Sequence, residues 1–276
     1  MKLTLGFSTC PNDTFIFDAM INQKIDTEGI DFEVTMADVE ELNRAAFKDN
    51  IDITKLSYHA FAYVSNEYKL LNSGSALGRK NGPLLIGRKI LYPDEVYDLK
   101  VAIPGKYTTA NMLFGIEYPK VKELKEYLFS DIETAILEGE VHAGVIIHEN
   151  RFTYQSKGLN KIVDLGELWE EKTGQPIPLG GIVVNRKIDF ETQLKVNRVM
   201  EKSVEYAIKY PKSSWQFVKQ QAQELEDAVI SKHIELYVNQ FTVRLGEEGK
   251  QAIKMLYQQA TQSGLFSSLP DDIFVI

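Results

Sequence analysis

The chain has 276 residues, 44% of them hydrophobic and 25% charged, with 18 glycines, 9 prolines and a single cysteine. Those proportions exclude collagen-like, low-complexity and disordered chains, and the length suits about two domains. The formal charge of −8 comes without any run of five or six basic residues, which argues against a nucleic-acid or anionic-membrane partner. A small anionic ligand stays compatible, because it needs only a local positive field. Cys10 stands alone, so an intramolecular disulfide or a multi-cysteine metal site is not available. No stretch reaches the roughly 18 apolar residues of a membrane span. Met1–Ser8 lacks the apolar core of a signal peptide, so a cytoplasmic protein is expected.

In chain order, Lys2–Phe7 predicts a strand, Asp13–Ile21 a helix opened by Cys10-Pro11-Asn12, and Phe32–Thr35 a second strand. Asp38–Phe47 reads as a helix, with Asp38 at the N-cap and Glu41 at capping-box spacing. Ile51–Leu56 is a third strand. Lys100–Ile103 then starts a second unit of the same kind, followed by the turn Pro104-Gly105-Lys106-Tyr107 and a helix from near Thr108. A strand-like Glu126–Phe129, a helix Asp131–Leu137 and a strand Ala143–Ile147 complete it. Strands alternating with helices imply parallel sheets covered on both faces.

Two apolar extended segments, Gly82–Gly87 and Pro178–Val184, flank the second unit and would let the chain cross to another lobe and return. After Asn185 the pattern is helical, over about 190–209, 212–223, 227–243 and 247–263. The expected organisation is α/β, with a discontinuous lobe of residues 1–86 and 185–276 around an inserted lobe of residues 87–184. A ligand cleft would lie between the lobes.

Ligands of open parallel sheets bind beyond the carboxyl ends of the strands, near helix N-termini. That rule selects Ser8–Thr14, Lys55–Ser57, Gly105–Ala110 and His148-Glu149. In the first, Asn12, Asp13 and Thr14 serve as caps or as ligand contacts, and Cys10 as a space-filling thiol or a nucleophile. Thr108 and Thr109 open a helix, where hydroxyls and free N–H groups suit an oxygen anion or simply cap the helix. Lys106 reads mainly as a solvent-facing turn lysine. Of the four histidines, His59 belongs to a helix, His142 precedes a strand and His233 lies in an amphipathic helix. His148 differs, ending a buried strand where an imidazole can serve as a general base or as a structural hydrogen-bonding group. The nucleotide, zinc-protease and serine-hydrolase signatures are missing, so the indicated chemistry is proton transfer without a cofactor or metal.

Three runs carry a resemblance: Gly6-Phe7-Ser8-Thr9-Cys10-Pro11-Asn12-Asp13-Thr14-Phe15, Thr54-Lys55-Leu56-Ser57-Tyr58, and Ile146-Ile147-His148-Glu149-Asn150-Arg151. Together with Asp38–Asn43, Thr108-Thr109-Ala110 and Pro178-Leu179-Gly180-Gly181, they resemble the 1,4-dihydroxy-6-naphthoate synthases of the futalosine route of menaquinone biosynthesis. One departure is Thr9, where that family commonly has proline. The resemblance implies a two-lobed periplasmic-binding-protein-like (type II) fold used by a cytoplasmic, cofactor-free lyase. It implies a small anionic substrate, cyclic dehypoxanthine futalosine, with no nucleic-acid or membrane partner. His148 matches the proton acceptor, and Lys55, Leu56, Ser57, Thr109 and Ala110 match substrate-contacting stretches. Asn12, Thr14 and Asn43 join the expected substrate-binding set by proximity. The competing readings are the chorismate dehydratase of the same pathway and a non-catalytic cytoplasmic binding protein.

Overall fold

Leu3, Leu5 and Phe7 point inward along β1 (Lys2–Phe7), as the two-residue period of a strand requires. The computed structural model describes residues 1–48, 51–223, 225–266 and 269–275. Pro11 starts α1 (Pro11–Ile21) at the one helical position where a missing N–H costs nothing. After β2 (Asp31–Met36), the Asp38 carboxylate caps α2 (Val39–Ala46) by accepting the Glu40 N–H at 2.8 Å. The bond closes on Glu40, and the capping box expected from Glu41 is not formed. The unit continues through β3 (Ile53–Ser57), α3 (Tyr58–Val64), β4 (Tyr68–Leu70) and β5 (Ala76–Gly78).

The next stretch holds β6 (Leu84–Gly87), β7 (Lys100–Ile103), α4 (Thr109–Glu117) and β8 (Glu123–Glu126). It goes on with α5 (Ile132–Leu137), β9 (Ala143–Ile146), α6 (Asn150–Thr153), β10 (Asn160–Asp164) and α7 (Leu165–Thr173). β11 (Ile177–Asn185) precedes the helical end of the chain: α8 (Phe190–Lys209), α9 (Pro211–Gln221), α10 (Asp227–Tyr237), α11 (Gln240–Val243) and α12 (Gly246–Gln262).

The strands form two mixed sheets, ordered β2-β1-β3-β11-β4 with β5 on β11, and β8-β7-β9-β6-β10. The two orders correspond. In each, the first strand of a parallel trio lies in the middle, and an antiparallel strand, β11 or β6, adds to the third. The order therefore reverses between β1 and β3 and again between β7 and β9, and each reversal opens a crevice at the carboxyl ends of its strands.

Three expectations change. β6 runs to Gly87 inside the second sheet and β11 begins at Ile177 inside the first, so the sheets exchange chain at 79–83 and 165–176, not at 86/87 and 184/185. The strand expected at Glu126–Phe129 lies at Glu123–Glu126, pairing in register with Lys100–Ile103. The helix expected over 227–243 divides into α10 and α11, because Asn239 leaves helical geometry and its side chain accepts the Phe241 N–H at 2.9 Å.

α1 packs against α8, α9 and α10 over one buried cluster that includes Phe7, Phe17, Val199 and Val204. A second cluster joins the two lobes: Met112 and Leu113 of α4 are buried with Phe61 of α3 and Leu256 and Tyr257 of α12. The lobes thus share core as well as crossing strands. Among the described residues no helix is long and apolar enough to cross a membrane.

Candidate active site

A cleft enclosing about 660 Å³, including space open to solvent, lies where the two crevices face one another. Residues following β1, ending β3, opening α4 and following β9 line it, joined by Leu179 and Gly180 of β11 and by His233 and Tyr237 of α10. Asn12, Lys55, Leu56, Ser57, Thr109, Ala110 and His148 are all in this lining.

His148 follows β9 by two residues and has φ of +57°. Few side chains adopt that left-handed region, histidine more readily than most, and such strain concentrates at functional sites. The turn directs its ring into the cleft. Phe129 packs edge-on against it at 4.9 Å, and the His233 ring lies nearly parallel at 6.1 Å. Cys10 Sγ sits 3.4 Å from Nδ1 and 3.9 Å from Nε2, close to both nitrogens and so selective for neither. Burial, then the Asp13 and Glu149 carboxylates, push the Cys10 thiol well above its ordinary value. That shift favours the space-filling thiol over the nucleophile.

Lys55 and Ser57 end β3, whose five residues are all buried. The Lys55 ammonium donates to Asp13 Oδ1 at 2.7 Å, and Asp13 Oδ2 accepts the Ser8 hydroxyl at 2.7 Å. Asn12 Nδ2 also donates to Asp13 Oδ1, at 2.8 Å. Ser57 is braced from behind: Asn43 Oδ1 accepts its N–H at 3.0 Å and Asn43 Nδ2 donates to its hydroxyl oxygen at 3.1 Å. The hydroxyl proton of Ser57 is left for the cleft.

At the start of α4, Thr108 is the N-cap, its hydroxyl accepting the Asn111 N–H at 3.2 Å and donating to Gly105 O at 2.8 Å. The Thr109 hydroxyl donates to Leu179 O at 2.6 Å and accepts the His59 N–H at 3.3 Å. Both side chains are engaged in structure. What this corner offers a ligand is the N–H groups of Thr109 and Ala110, which at the first helical positions have no intrahelical acceptor. A carboxylate or enolate oxygen fits there. Gly105, before this turn, leaves room for Glu40: its φ is +144°, and a Cβ there would meet the Glu40 side chain at 2.7 Å. The Glu40 carboxylate instead accepts the Tyr107 N–H at 3.2 Å, tying α2 to the second lobe.

Two expected contacts stand elsewhere. Thr14 is wholly buried, its hydroxyl turned back to Cys10 O at 3.1 Å and Pro11 O at 3.2 Å within α1. Asn43 is also wholly buried and reaches the cleft only through Ser57. His233 and Tyr237 were not selected as site residues by the sequence reasoning, and Asp13, read there as a cap or ligand contact, is the partner of Lys55. His233 and Tyr237 lie one turn apart on α10, rings 4.7 Å apart. Their four-residue spacing, which puts both on one helix face, was the available signal. Among the described residues no three His, Cys, Asp or Glu side chains gather as a metal-binding set.

The architecture is that of periplasmic-binding-protein-like folds, with the cleft at the lobe junction. An alkanesulfonate-binding protein of Xanthomonas axonopodis, bound to MOPS, superposes with a TM-score of 0.72 at 12% identity, over 99% of this chain and 96% of that one. A protein of Archaeoglobus fulgidus is nearer, with a TM-score of 0.91 and 32% identity over 96% of this chain and 98% of that one. In sequence, the profile of the menaquinone-biosynthesis family matches residues 3–262. The 1,4-dihydroxy-6-naphthoate synthase of Thermus thermophilus is 42% identical over 99% of both chains. That of Streptomyces coelicolor is 38% identical over 98% of this chain and 96% of its own. The chain belongs to the menaquinone-biosynthesis family.

Proposed function

We propose that the protein is a cytoplasmic carbon–carbon lyase that converts cyclic dehypoxanthine futalosine, a small anionic substrate, to 1,4-dihydroxy-6-naphthoate. The reading rests on near full-length similarity to two synthases of that name and on one observation above all: the strained φ of His148, which turns an imidazole into the cleft.

In this reading His148 removes the acidic proton beside the substrate ketone. The C–H electron pair forms an enolate, whose collapse breaks the bond to the sugar-derived portion. That portion leaves with the electron pair and takes up the proton held by His148, which restores the base, and aromatisation of the remaining ring drives the change. A positioned base supplies about 10²–10⁴-fold, so donors to the developing oxyanion must supply more. In this reading the Ser57 hydroxyl and the N–H groups of Thr109 and Ala110 do that work. No step calls for nucleic acid, membrane or cofactor.

The purified protein incubated with cyclic dehypoxanthine futalosine should yield the naphthoate, followed by mass and absorbance. Consumption of chorismate instead would assign a dehydratase. Binding of the substrate without turnover would assign a solute-capture role.

A further inference from the structure

His233 is wholly buried, yet its Nδ1 has no hydrogen-bond partner. The state of the ring follows from a chain of contacts. Lys55 Nζ and Asn12 Nδ2 both donate to Asp13 Oδ1, at 2.7 and 2.8 Å. The Asn12 amide nitrogen being so engaged, its Oδ1 faces His233 Nε2 at 3.0 Å and can only accept. Nε2 therefore carries the proton, and Nδ1 is a bare lone pair. Burial, the neighbouring His148 ring and the Lys55 ammonium all hold the His233 pKa well below the histidine value, which keeps the ring neutral. Glu149 Oε2 stands 3.9 Å from Nδ1, beyond hydrogen-bond distance and itself an acceptor.

Buried acceptors without partners are rare and call for an explanation. This one belongs to a ring that lines the cleft, beside the catalytic His148 of the proposed reaction. A carboxylate or ketone oxygen gains nothing there, since acceptor would meet acceptor. A hydroxyl fits. We propose that His233 is a substrate-binding residue whose Nδ1 accepts a hydrogen bond from a hydroxyl of the sugar-derived part of the substrate. The inference rests on the lyase reading and deepens it by orienting the substrate: the sugar-derived part lies toward α10, and the carboxylate toward the N-terminus of α4.

His233→Gln separates binding from structure, because its amide N–H replaces the Nε2 donor to Asn12 while the ring nitrogen at the Nδ1 position is lost. The variant should melt with the wild type and show a KM raised about 2–10-fold with kcat little changed, the loss of one neutral hydrogen bond. Analogues of cyclic dehypoxanthine futalosine lacking one sugar hydroxyl each complete the cycle. One of them should lose that same factor on the wild type and nothing further on His233→Gln. An unchanged KM, or analogues that all lose as much on the variant as on the wild type, would overturn the assignment. Absence of turnover by the wild type is a different result, which removes the lyase reading and this inference with it. If His233→Gln does not fold, nitrogen-15 spectra of histidine-labelled His148→Ala protein decide. The His233 Nδ1 resonance, unprotonated in the free protein, should move upfield when cyclic dehypoxanthine futalosine is added, and a stationary resonance refutes the contact.

Discussion

The Lys55 ammonium lies 2.7 Å from Asp13 Oδ1, with only 7% and 2% of the two side chains exposed. The cation that the sequence offers to an anionic substrate is thus already matched by a carboxylate. Removing one partner of a buried pair leaves an uncompensated charge and costs about 3–5 kcal/mol, whereas replacing both by apolar groups costs far less. Lys55→Met and Asp13→Asn should each lower the unfolding free energy in urea by about that amount, and Lys55→Met/Asp13→Asn, which removes both charges and keeps an acceptor for the Ser8 hydroxyl, should lose less than the two singles combined. Wild-type stability of Lys55→Met would show instead that the ammonium is free to serve the ligand.

At His148, backbone and side chain make separable demands. Asparagine tolerates left-handed geometry, and a β-branched residue does not. His148→Asn should keep its melting temperature while turnover of cyclic dehypoxanthine futalosine falls by about 10²–10⁴-fold. His148→Val should in addition lose about 1–3 kcal/mol of stability. Retention of near-wild-type turnover by His148→Asn would remove the proposed base.

Asn43 supports the site from outside it. Truncation to alanine leaves the buried Ser57 N–H and the Glu40 carboxylate short of partners, at a cost of about 1–3 kcal/mol. Ser57→Ala removes a donor to the developing oxyanion and should lower kcat, with a smaller loss of stability. Equal melting temperatures of the two variants in calorimetry would contradict this division of roles.

His59 should give the fold an acid-sensitive range. Burial is the main cause that lowers its pKa from 6.5 to about 4, and its Nδ1–H donates to Thr108 O at 3.1 Å across the lobe junction. The unfolded chain takes up this proton near pH 6.5 and the folded chain only near pH 4. Stability is therefore complete above the higher value and declines as pH falls toward the lower, by about 3 kcal/mol in all. His59→Asn keeps a donor for Thr108 O and does not titrate, so its urea midpoint should fall less over that interval. Parallel pH profiles of the two proteins would refute the assignment.

Local chemistry made much of this legible. Period-two burial marks β1, the proline and aspartate at helix starts mark α1 and α2, and the polar turns after strands mark the cleft corners. Sequence is silent where a residue's role depends on partners distant in the chain. Gly82–Gly87 and Pro178–Val184 look alike, yet one completes each sheet, because each third parallel strand needs an antiparallel neighbour and the nearer one in space is not the nearer in sequence. Thr14 and Asn43 carry groups able to bind ligand, but a carbonyl of their own helix and the back of Ser57 take them up.

By itself, the amino-acid order determined the alternation of strands and helices, the strand ends that line the cleft, and the histidine that follows β9 into it. Those are properties of near neighbours, set by backbone periodicity and turn chemistry. Tertiary structure alone decided the charge and protonation inside the cleft. Asp13 neutralises Lys55, Asn12 orients His233, and burial raises the pKa of the Cys10 thiol. Electrostatic energy depends on distance and on exclusion of water, and residues 221 positions apart, such as Asn12 and His233, acquire both only when the chain has closed around them.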